Sequence, residues 1–520
     1  MSSRKTRQTG VPLLGLSADT VVVGAGAAGA VIASRMTESS EHEVLLLEAG
    51  PDYPAPPELP EDLADGRFNS MSRHDWGYKH RPTVPQMRFP LPRGKVVGGS
   101  SAVNTCIALR GQPADFDEWA AMGLPDWTWE HCFPAFKRLE NDLDFESDWH
   151  SQSGPLPLRR HSREELAPWQ AAFLDACDEV GHPRCPDTNE PGSVGAGPHT
   201  MNRIEGRRIS AAEAWLTPKV RARPNLRIRP HSEVRRVLFH NRNVVGVEVR
   251  SGKELLTVAT NRVVLCGGAI GTPTVLLRSG LGPQSELDRL GVETVVDIPA
   301  VGAQLLDHPG VAFFMRPLWG RGDRRAPLIQ TVLRFGSRGA SVDPDILVQP
   351  GSSVPLPYIH LPFFSMMAVV GKPVGKGSIR WASLKGSARP TIESRFLEDA
   401  RDRNVAVQGL QAALELVQTK AMRALARPLY PSQRVLADSI RLDGLVRRIC
   451  DSGYHPSGTV PMGAEGDPHA ATDGRGRVRG VQGLVVADAS LMPTITSANT
   501  HLPTLMIGER FGAWLQAGEL

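Results

Sequence analysis

The sequence predicts a mixed α/β chain in which a doubly wound βαβ half is interleaved with a half built on antiparallel sheet. Three observations predict it. A β-branched run, Thr20-Val21-Val22-Val23, leads straight into a glycine-rich turn, Gly24-Ala25-Gly26-Ala27-Ala28-Gly29. Several short strand-like runs follow one another between Asn225 and Cys266. Residues 311–400 then lose the βαβ pattern and become rich in proline, glycine and aromatics. The 520-residue length accommodates roughly two to four structural units.

The elements follow in order. Residues 1–18 are basic and then weakly apolar, and read as a disordered leader rather than a signal peptide because a core strand starts directly behind them. Thr20 to Val23 has the composition of a strand buried on both faces, and residues 30–36 that of a helix. Val44-Leu45-Leu46-Leu47 is a second buried strand, ending on Glu48. Five prolines between Pro51 and Pro60 make that stretch an irregular surface crossing. The runs at 226–229, 234–239, 244–249 and 263–266 predict an antiparallel appendage whose last strand rejoins the parallel sheet, with a hairpin turn at His240-Asn241-Arg242-Asn243. Apolar residues at helical spacing from Val405 to Val417 predict an amphipathic helix over about 405–425.

Composition excludes several classes. With 41% hydrophobic and 22% charged residues the chain is globular, and its net charge of +4 is spread without a basic run, which argues against nucleic acid. The longest apolar stretch, residues 21–33, is too short for a membrane span. Six scattered cysteines, with no C-x-x-C, read as reduced thiols of a cytoplasmic protein and argue against a zinc site. The oligomeric state is left open.

The glycine turn has a physical reading. Gly24 permits the tight turn, Gly26 lets the backbone approach a pyrophosphate, and Gly29 lets helix and strand pack closely. The helix N-terminus offers free N–H groups and partial positive charge to phosphates. Glu48, 24 residues past Gly24, can accept hydrogen bonds from a ribose diol. Together these point to a dinucleotide, without separating NAD from FAD. Gly98-Gly99-Ser100-Ser101, within Arg93 to Asn104, is flexible and hydroxyl-rich, and reads equally as a second cradle or a surface turn.

The segment Arg93-Gly94-Lys95-Val96-Val97-Gly98-Gly99-Ser100-Ser101-Ala102-Val103-Asn104 resembles the first signature of the glucose-methanol-choline (GMC) flavin oxidoreductases, and Gly268 to Gly282 their second. Val301-Gly302, Leu306-Asp307-His308-Pro309 and Asp488-Ala489-Ser490-Leu491-Met492-Pro493 are similar to further landmarks, in family order, from about residue 19 to 516. The resemblance implies a Rossmann-like FAD-binding domain, mainly 19–310, and an interleaved antiparallel-sheet substrate domain at 311–445 with a part at about 150–200. Residues 446–520 would return to the FAD-binding domain. It implies non-covalent FAD, because Ala102 and Val103 stand where some members carry a flavin-linking histidine. The cofactor would be held by Gly24, Gly26, Ala27, Ala28, Gly29, Glu48, Ala49, Arg93, Val97, Gly99 and Ser100. Ser101, Asn104, Val234, Asp488, Ala489, Thr500, His501 and Pro503 complete the set.

Alcohol oxidation needs a base near neutrality, a group that fixes the oxygen, and a dry pocket. Tyr454-His455-Pro456-Ser457-Gly458 closely resembles the family's active-site segment, which makes His455 the base. The family's second position, six residues after Pro493, falls on Asn499, whose amide can orient the substrate oxygen. His501 is a departure from the family, and reads as a rival to Asn499, a supporting polar group or a flavin contact. His308 reads as structural and Cys106 as a small buried hydrophobe. The resemblance is closest to the bacterial 5-hydroxymethylfurfural oxidase and aryl-alcohol oxidase type. It implies a small aryl or furanic primary alcohol as substrate and O₂ as acceptor. Alternatives are a dehydrogenase using a quinone-like or mycofactocin-type acceptor, a hydroxynitrile lyase, a fatty-acid photodecarboxylase and a non-catalytic FAD-binding protein.

Overall fold

Five short parallel strands carry the nucleotide half, and the order in which the chain visits them explains its interleaving. The computed structural model describes residues 13–520 apart from residues 55–58, 319, 321, 341, 357–358, 387 and 437–440. Strand β1 (Leu13–Ser17) is followed by β2 (Thr20–Val23), α1 (Ala27–Met36) and β3 (Val44–Leu47). After α2 (Pro168–Val180) and β4 (Gly195–Pro198) come β5 (Leu226–Arg229), β6 (Ser232–His240), β7 (Asn243–Ser251), β8 (Glu254–Ala259), β9 (Arg262–Leu265) and α3 (Gly268–Arg278). The parallel sheet has the order β5-β3-β2-β9, closed by a late strand, Leu484–Val486. Both its faces are covered, so Val21, Val22, Leu45, Leu46, Val263 and Val264 are wholly buried.

Two expectations are corrected here. Residues 13–17, the end of the presumed disordered leader, form β1, which pairs in parallel with β8; residues 1–12 lie outside the described residues. Leu226–Arg229 belongs to the parallel sheet beside β3, not to the antiparallel appendage. Its alternation of Leu226 and Ile228 with two arginines is that of an edge strand, which sequence pattern does not distinguish from a hairpin strand. The remaining appendage, β6, β7 and β8, is antiparallel. Asn241 (φ 49°) and Arg242 (φ 65°) form its two-residue turn, the left-handed pair that hairpin twist favours. Of the proline crossing, residues 55–58 lie outside the described residues.

The second half is a seven-stranded antiparallel sheet. Its strands are β4, β10 (Pro309–Pro317), β11 (Thr331–Phe335), β12 (Ile346–Gly351), β13 (Phe364–Val370), β14 (Ala426–Tyr430) and β15 (Cys450–Ser452), with helix α4 (Ala400–Leu416) between β13 and β14. The spatial order is β14-β10-β13-β12-β11-β4, and β15 also pairs β10. Alternation sorts its two faces. Phe313, Met366, Val348 and Leu333 join one core with residues of α2 and α4. Leu347, Val369 and Val332 face the other way and cluster with Cys106, Met201 and Ala498. The helix expected over about 405–425 is α4, and a separate short turn follows at Lys420–Arg423.

The chain closes with β16 (Leu484–Val486), the late strand of the parallel sheet, and α5 (His501–Gln516). Helix α5 lies directly on α1. A side chain at Gly508 would meet Ala28 Cα at 2.9 Å, so glycine there permits the close approach. No helix among the described residues is long and apolar enough to cross a membrane.

Candidate active site

The two glycine-rich segments meet. Gly24 takes φ +97°, and a Cβ on Gly29 would lie 1.9 Å from Gly24 O, so the turn and the strand–helix packing both require glycine. Gly98 N–H donates to Ala25 O at 2.7 Å. A Cβ on Gly99 would come within 2.7 Å of Gly26 Cα, whereas one on Gly26 would meet only Gly99 Cα at 3.9 Å. Gly26 therefore faces open space, where a pyrophosphate could approach the backbone. Ala27 and Ala28 begin α1 beside it.

Glu48, 6% exposed, ends β3. It accepts from Ala25 N–H at 3.0 Å and Gly50 N–H at 2.8 Å. Burial raises its pKa to about 7 against those hydrogen bonds and a further one involving the backbone of Ala49. Ribose hydroxyls would supply donors this carboxylate lacks. Val234 is buried two residues beyond Ser232, whose N–H donates to Glu48 O at 2.7 Å, which sets it near the end of β3.

Other expected cofactor residues are tied to protein partners. Asp488 accepts from Gly268 N–H, Thr272 Oγ1 and Ser490 N–H at 2.7, 2.6 and 2.7 Å, joining two motif segments. Ser101 Oγ donates to Gly98 O at 2.5 Å and accepts from Ala211 N–H, while Ser100 Oγ accepts from Gly94 N–H. Val97 N–H donates to Pro51 O. Ala489 O accepts from Gly458 N–H, next to the histidine segment. Asn104 keeps accessible surface, and its Oδ1 accepts from Cys106 N–H. Cys106 is fully buried at φ +65°. These residues fit FAD through their backbone and packing more than through free side chains.

The imidazoles sit at the other end. Asp307 Oδ1 accepts the backbone N–H of both His308 and His455 at 2.8 Å, and its Oδ2 accepts Ser452 Oγ at 2.5 Å. That carboxylate draws together β10 and the strand-to-loop passage after β15. Arg93 Nη2 donates to Tyr454 O at 2.7 Å, clamping a residue held at φ +65°, an unusual conformation for a bulky side chain.

Hydrogen-bond logic then fixes every proton. His308 Nε2 lies 2.9 Å from Thr496 O, which can only accept, so Nε2 carries the hydrogen and Nδ1 a lone pair. His308 Nδ1 is 2.9 Å from His455 Nδ1, so His455 must donate there. Its Nε2 is left as a lone pair, facing the Asn499 amide Nδ2 at 3.0 Å. Burial, then His308, then Arg93, holds the His455 pKa well below its usual 6.5. Burial alone pulls His501 down to about 4. The arrangement is a neutral imidazole with its basic nitrogen held toward a carboxamide, able to accept a proton.

The structure thus brings His455 and Asn499 together and adds His308, which sequence reading set aside as structural. No hydrogen bond joins His501 to His455. It starts α5 with its Nε2 buried and unpartnered, behind Thr500, which makes no side-chain cap. Pro503 lies in the first turn, where its missing N–H leaves no helical bond unmade. An uncapped helix N-terminus and an orphaned imidazole nitrogen beside Asn499 suit a bound group carrying partial negative charge, as a flavin ring would.

Comparison with known proteins establishes the family. Family models described as GMC oxidoreductase match residues 18–310 and 373–508. The chain belongs to the GMC oxidoreductase family. It is 33% identical over 523 residues to the 5-(hydroxymethyl)furfural oxidase of Methylovorus sp. (strain MP688), covering 95% of this chain and 97% of that one. It is also 33% identical over 524 residues to the oxygen-dependent choline dehydrogenase of Vibrio vulnificus (strain YJ016), covering 95% and 93%. Pyridoxine 4-oxidase from Mesorbium loti superposes with a TM-score of 0.86 at 29% identity, over 96% of this chain and 99% of that one. This GMC protein is an FAD-dependent oxidoreductase acting on CH–OH groups. Overall identity does not separate furanic from choline-type substrates.

Proposed function

We propose that this GMC oxidoreductase converts an activated primary alcohol, aryl or furanic, into the aldehyde and passes the electrons to O₂. The observation that carries the reading is the fixed tautomer of His455, whose Nε2 lone pair is held beside Asn499. Bound FAD supplies the acceptor for the hydride leaving the alcohol carbon.

The chain's own residues do the rest. An alcohol hydroxyl entering between the two side chains gives its proton to His455 Nε2, while Asn499 Nδ2 turns its hydrogen to the oxygen. The carbon–hydrogen pair leaves as hydride and the oxygen closes to a carbonyl, so the substrate loses a proton and a hydride, two electrons and two hydrogens in all. His455 becomes a cation whose backbone N–H already rests on Asp307. Gly24, Gly26, Gly29, Glu48 and Val234 would hold the adenosine and pyrophosphate. Asn104, Thr500, His501 and Pro503 would border the flavin.

Support for a flat apolar substrate comes from the sheet face opposite the α2/α4 core. There Ala312, Phe314 and Met367 alternate with buried neighbours and keep accessible surface. Ala102 and Val103 support non-covalent FAD. Six free thiols, all buried, support a reducing, cytoplasmic setting.

Anaerobic addition of benzyl alcohol is expected to bleach the flavin absorbance, and admitting air to restore it with stoichiometric peroxide. Bleaching with dye reduction but no peroxide would select a dehydrogenase with a quinone-like acceptor. An unchanged spectrum across aryl, aliphatic and amino alcohols would overturn alcohol oxidation. Acid precipitation is expected to leave the yellow colour in the supernatant.

A further inference from the structure

We propose that Gln349 reads a hydrogen-bond acceptor at the far end of the substrate, so that the alcohol oxidised here carries a neutral carbonyl or ring acceptor remote from its hydroxyl. The proposal rests on the alcohol-oxidising reading of the site.

Placement comes first. In β12, Ile346 and Val348 belong to the core under α2 and α4. Leu347 belongs to the opposite cluster, with Cys106 and Ala498. Period-two alternation puts Gln349 on the face of Leu347, the side from which Asn499 is presented. Register locates it further: Gln349 is opposite Met367, and Met367 is opposite Ala312. Ala312 lies two residues beyond Gly310, on the strand that starts behind His308. Gln349 is therefore two strand spacings, about 10 Å, from the strand nearest the imidazoles. A ring with one substituent, hydrogen-bonded at both ends, is of that order.

Chemistry comes second. Gln349 is the amide in a cross-strand row whose other two members are Ala312 and Met367. A buried amide in an apolar wall is unfavourable unless its polar atoms are answered. The protein answers one of them, the oxygen, and the nitrogen is not among the sealed, unpartnered atoms of the core. His199, fully buried and adjacent to Pro198 of β4, places its Nε2 3.2 Å from Gln349 Oε1. Burial lowers the His199 pKa to about 3, so the ring is neutral and Nε2 carries its one hydrogen. Its Nδ1 is buried without a partner, and a lone pair left there is better tolerated than an unpaired N–H. The amide oxygen is thus occupied by His199. Gln349 Nε2 has no protein partner among the described residues yet keeps accessible surface, in a residue 8% exposed. An amide pinned by its oxygen presents donors only, so what it selects is an acceptor. A site built to donate to a substrate atom discriminates strongly against the analogue that lacks it.

Two alcohols differing only in the distal group test this on FAD-loaded enzyme: 5-(hydroxymethyl)furfural and furfuryl alcohol. Wild-type kcat/KM for flavin reduction is expected to favour the first. Gln349→Leu should lower kcat/KM tenfold or more for 5-(hydroxymethyl)furfural and by less than twofold for furfuryl alcohol. His199→Ala, which frees the amide oxygen, should give a smaller loss on the first alcohol alone. Calorimetric binding of 5-methylfurfural, which has the acceptor but no hydroxyl, should weaken tenfold in Gln349→Leu and reports without turnover. Equal losses on both alcohols, or unchanged 5-methylfurfural binding in a Gln349→Leu protein of normal flavin content, would overturn the proposal while leaving alcohol oxidation intact. If neither alcohol bleaches the wild-type flavin while another alcohol class does, the furanic reading falls and the proposal falls with it.

Discussion

Two buried histidine sites in this molecule have opposite protonation, and the contrast shows what makes one of them a base. His150 places Nδ1 3.0 Å from Asp142 and 3.4 Å from Glu140, and Nε2 2.8 Å from Asp187. Both nitrogens face carboxylates, so both carry hydrogen, and the pKa rises to about 10 despite burial. With Arg110 and Arg160 it supplies three positive charges to three carboxylates. His308 is also buried and His455 keeps only partial accessibility, yet no carboxylate makes an ion pair with either ring. The one at hand, Asp307, takes their backbone N–H groups instead. With no carboxylate paired to either ring, burial outweighs the more distant charge of Asp115 on His308, and both rings stay neutral. Burial alone does not set a histidine's charge; the direction of the nearest carboxylate does.

The largest effect expected from breaking the contrast is at the neutral site. His455→Ala should slow anaerobic flavin reduction by about 10² to 10⁴-fold with FAD still bound. Near-wild-type reduction would remove His455 as the base. At the charged site the loss should be in stability. His150→Ala leaves three carboxylates facing two arginines and should cost about 3–5 kcal/mol in urea unfolding, with flavin reduction within twofold of wild type at 25 °C. A variant as stable as wild type would mean that the network is not held by the imidazolium.

pH sharpens the same comparison, with opposite signs. The His150 pKa in the fold, about 10, lies above its ordinary 6.5. Its stabilisation is therefore complete below pH 6.5 and lost as pH rises toward 10. Asp187, lowered to about 2, contributes above its ordinary 3.8 and loses that as pH falls. The stability gap between wild type and His150→Ala should thus be widest between about pH 4 and 6.5 and close toward pH 10. The His455 pKa is shifted down, so kcat/KM should be level above pH 6.5 and fall only as acid protonates Nε2. A rate still rising above pH 8 would contradict the neutral resting state.

His308 offers a subtler break. It acts through its neighbour, accepting from His455 Nδ1 and donating to Thr496 O. His308→Leu should cost roughly ten- to hundredfold in flavin reduction, because the tautomer is no longer imposed. His308→Gln can accept through its oxygen and donate through its nitrogen, and should recover most of that rate. Equal rates in the two variants would show that His308 fills space only.

Much of this was legible in the sequence for local reasons. The glycine turn, its flanking β-branched strands and the acid at position 48 form one contiguous βαβ unit, so pattern sufficed. His455 and Asn499 were legible only through the resemblance of their segments to those of the GMC family. The relation of His308 to His455 was not, because it is made by β10 and β15 pairing across 147 residues, which no local period records. The first appendage strand was misplaced for the same reason: alternation gives a strand's faces but not its partner. The leader's last residues were misread because β1 is fixed by pairing with β8, some 240 positions on.

The smallest expected effect tests how far the support of Asn499 extends. Asp115, fully buried, accepts Ser497 N–H at 2.9 Å and Ser497 Oγ at 2.7 Å, two residues before Asn499. Its other oxygen takes Lys372 Nζ at 3.0 Å, and Lys372 also donates to Ile495 O at 2.7 Å. One ion pair therefore grips the loop bearing the carboxamide from two directions, while His308 holds the same loop at Thr496. Asp115→Asn keeps the volume but removes the charge and turns one acceptor into a donor. Because His308 still anchors Thr496, the loop should shift rather than unfold. Flavin reduction should fall by roughly three- to tenfold, in kcat rather than KM, with FAD content unchanged. A loss confined to KM would place Asp115 in substrate binding, and no loss at all would mean that Thr496 alone sets the position of Asn499.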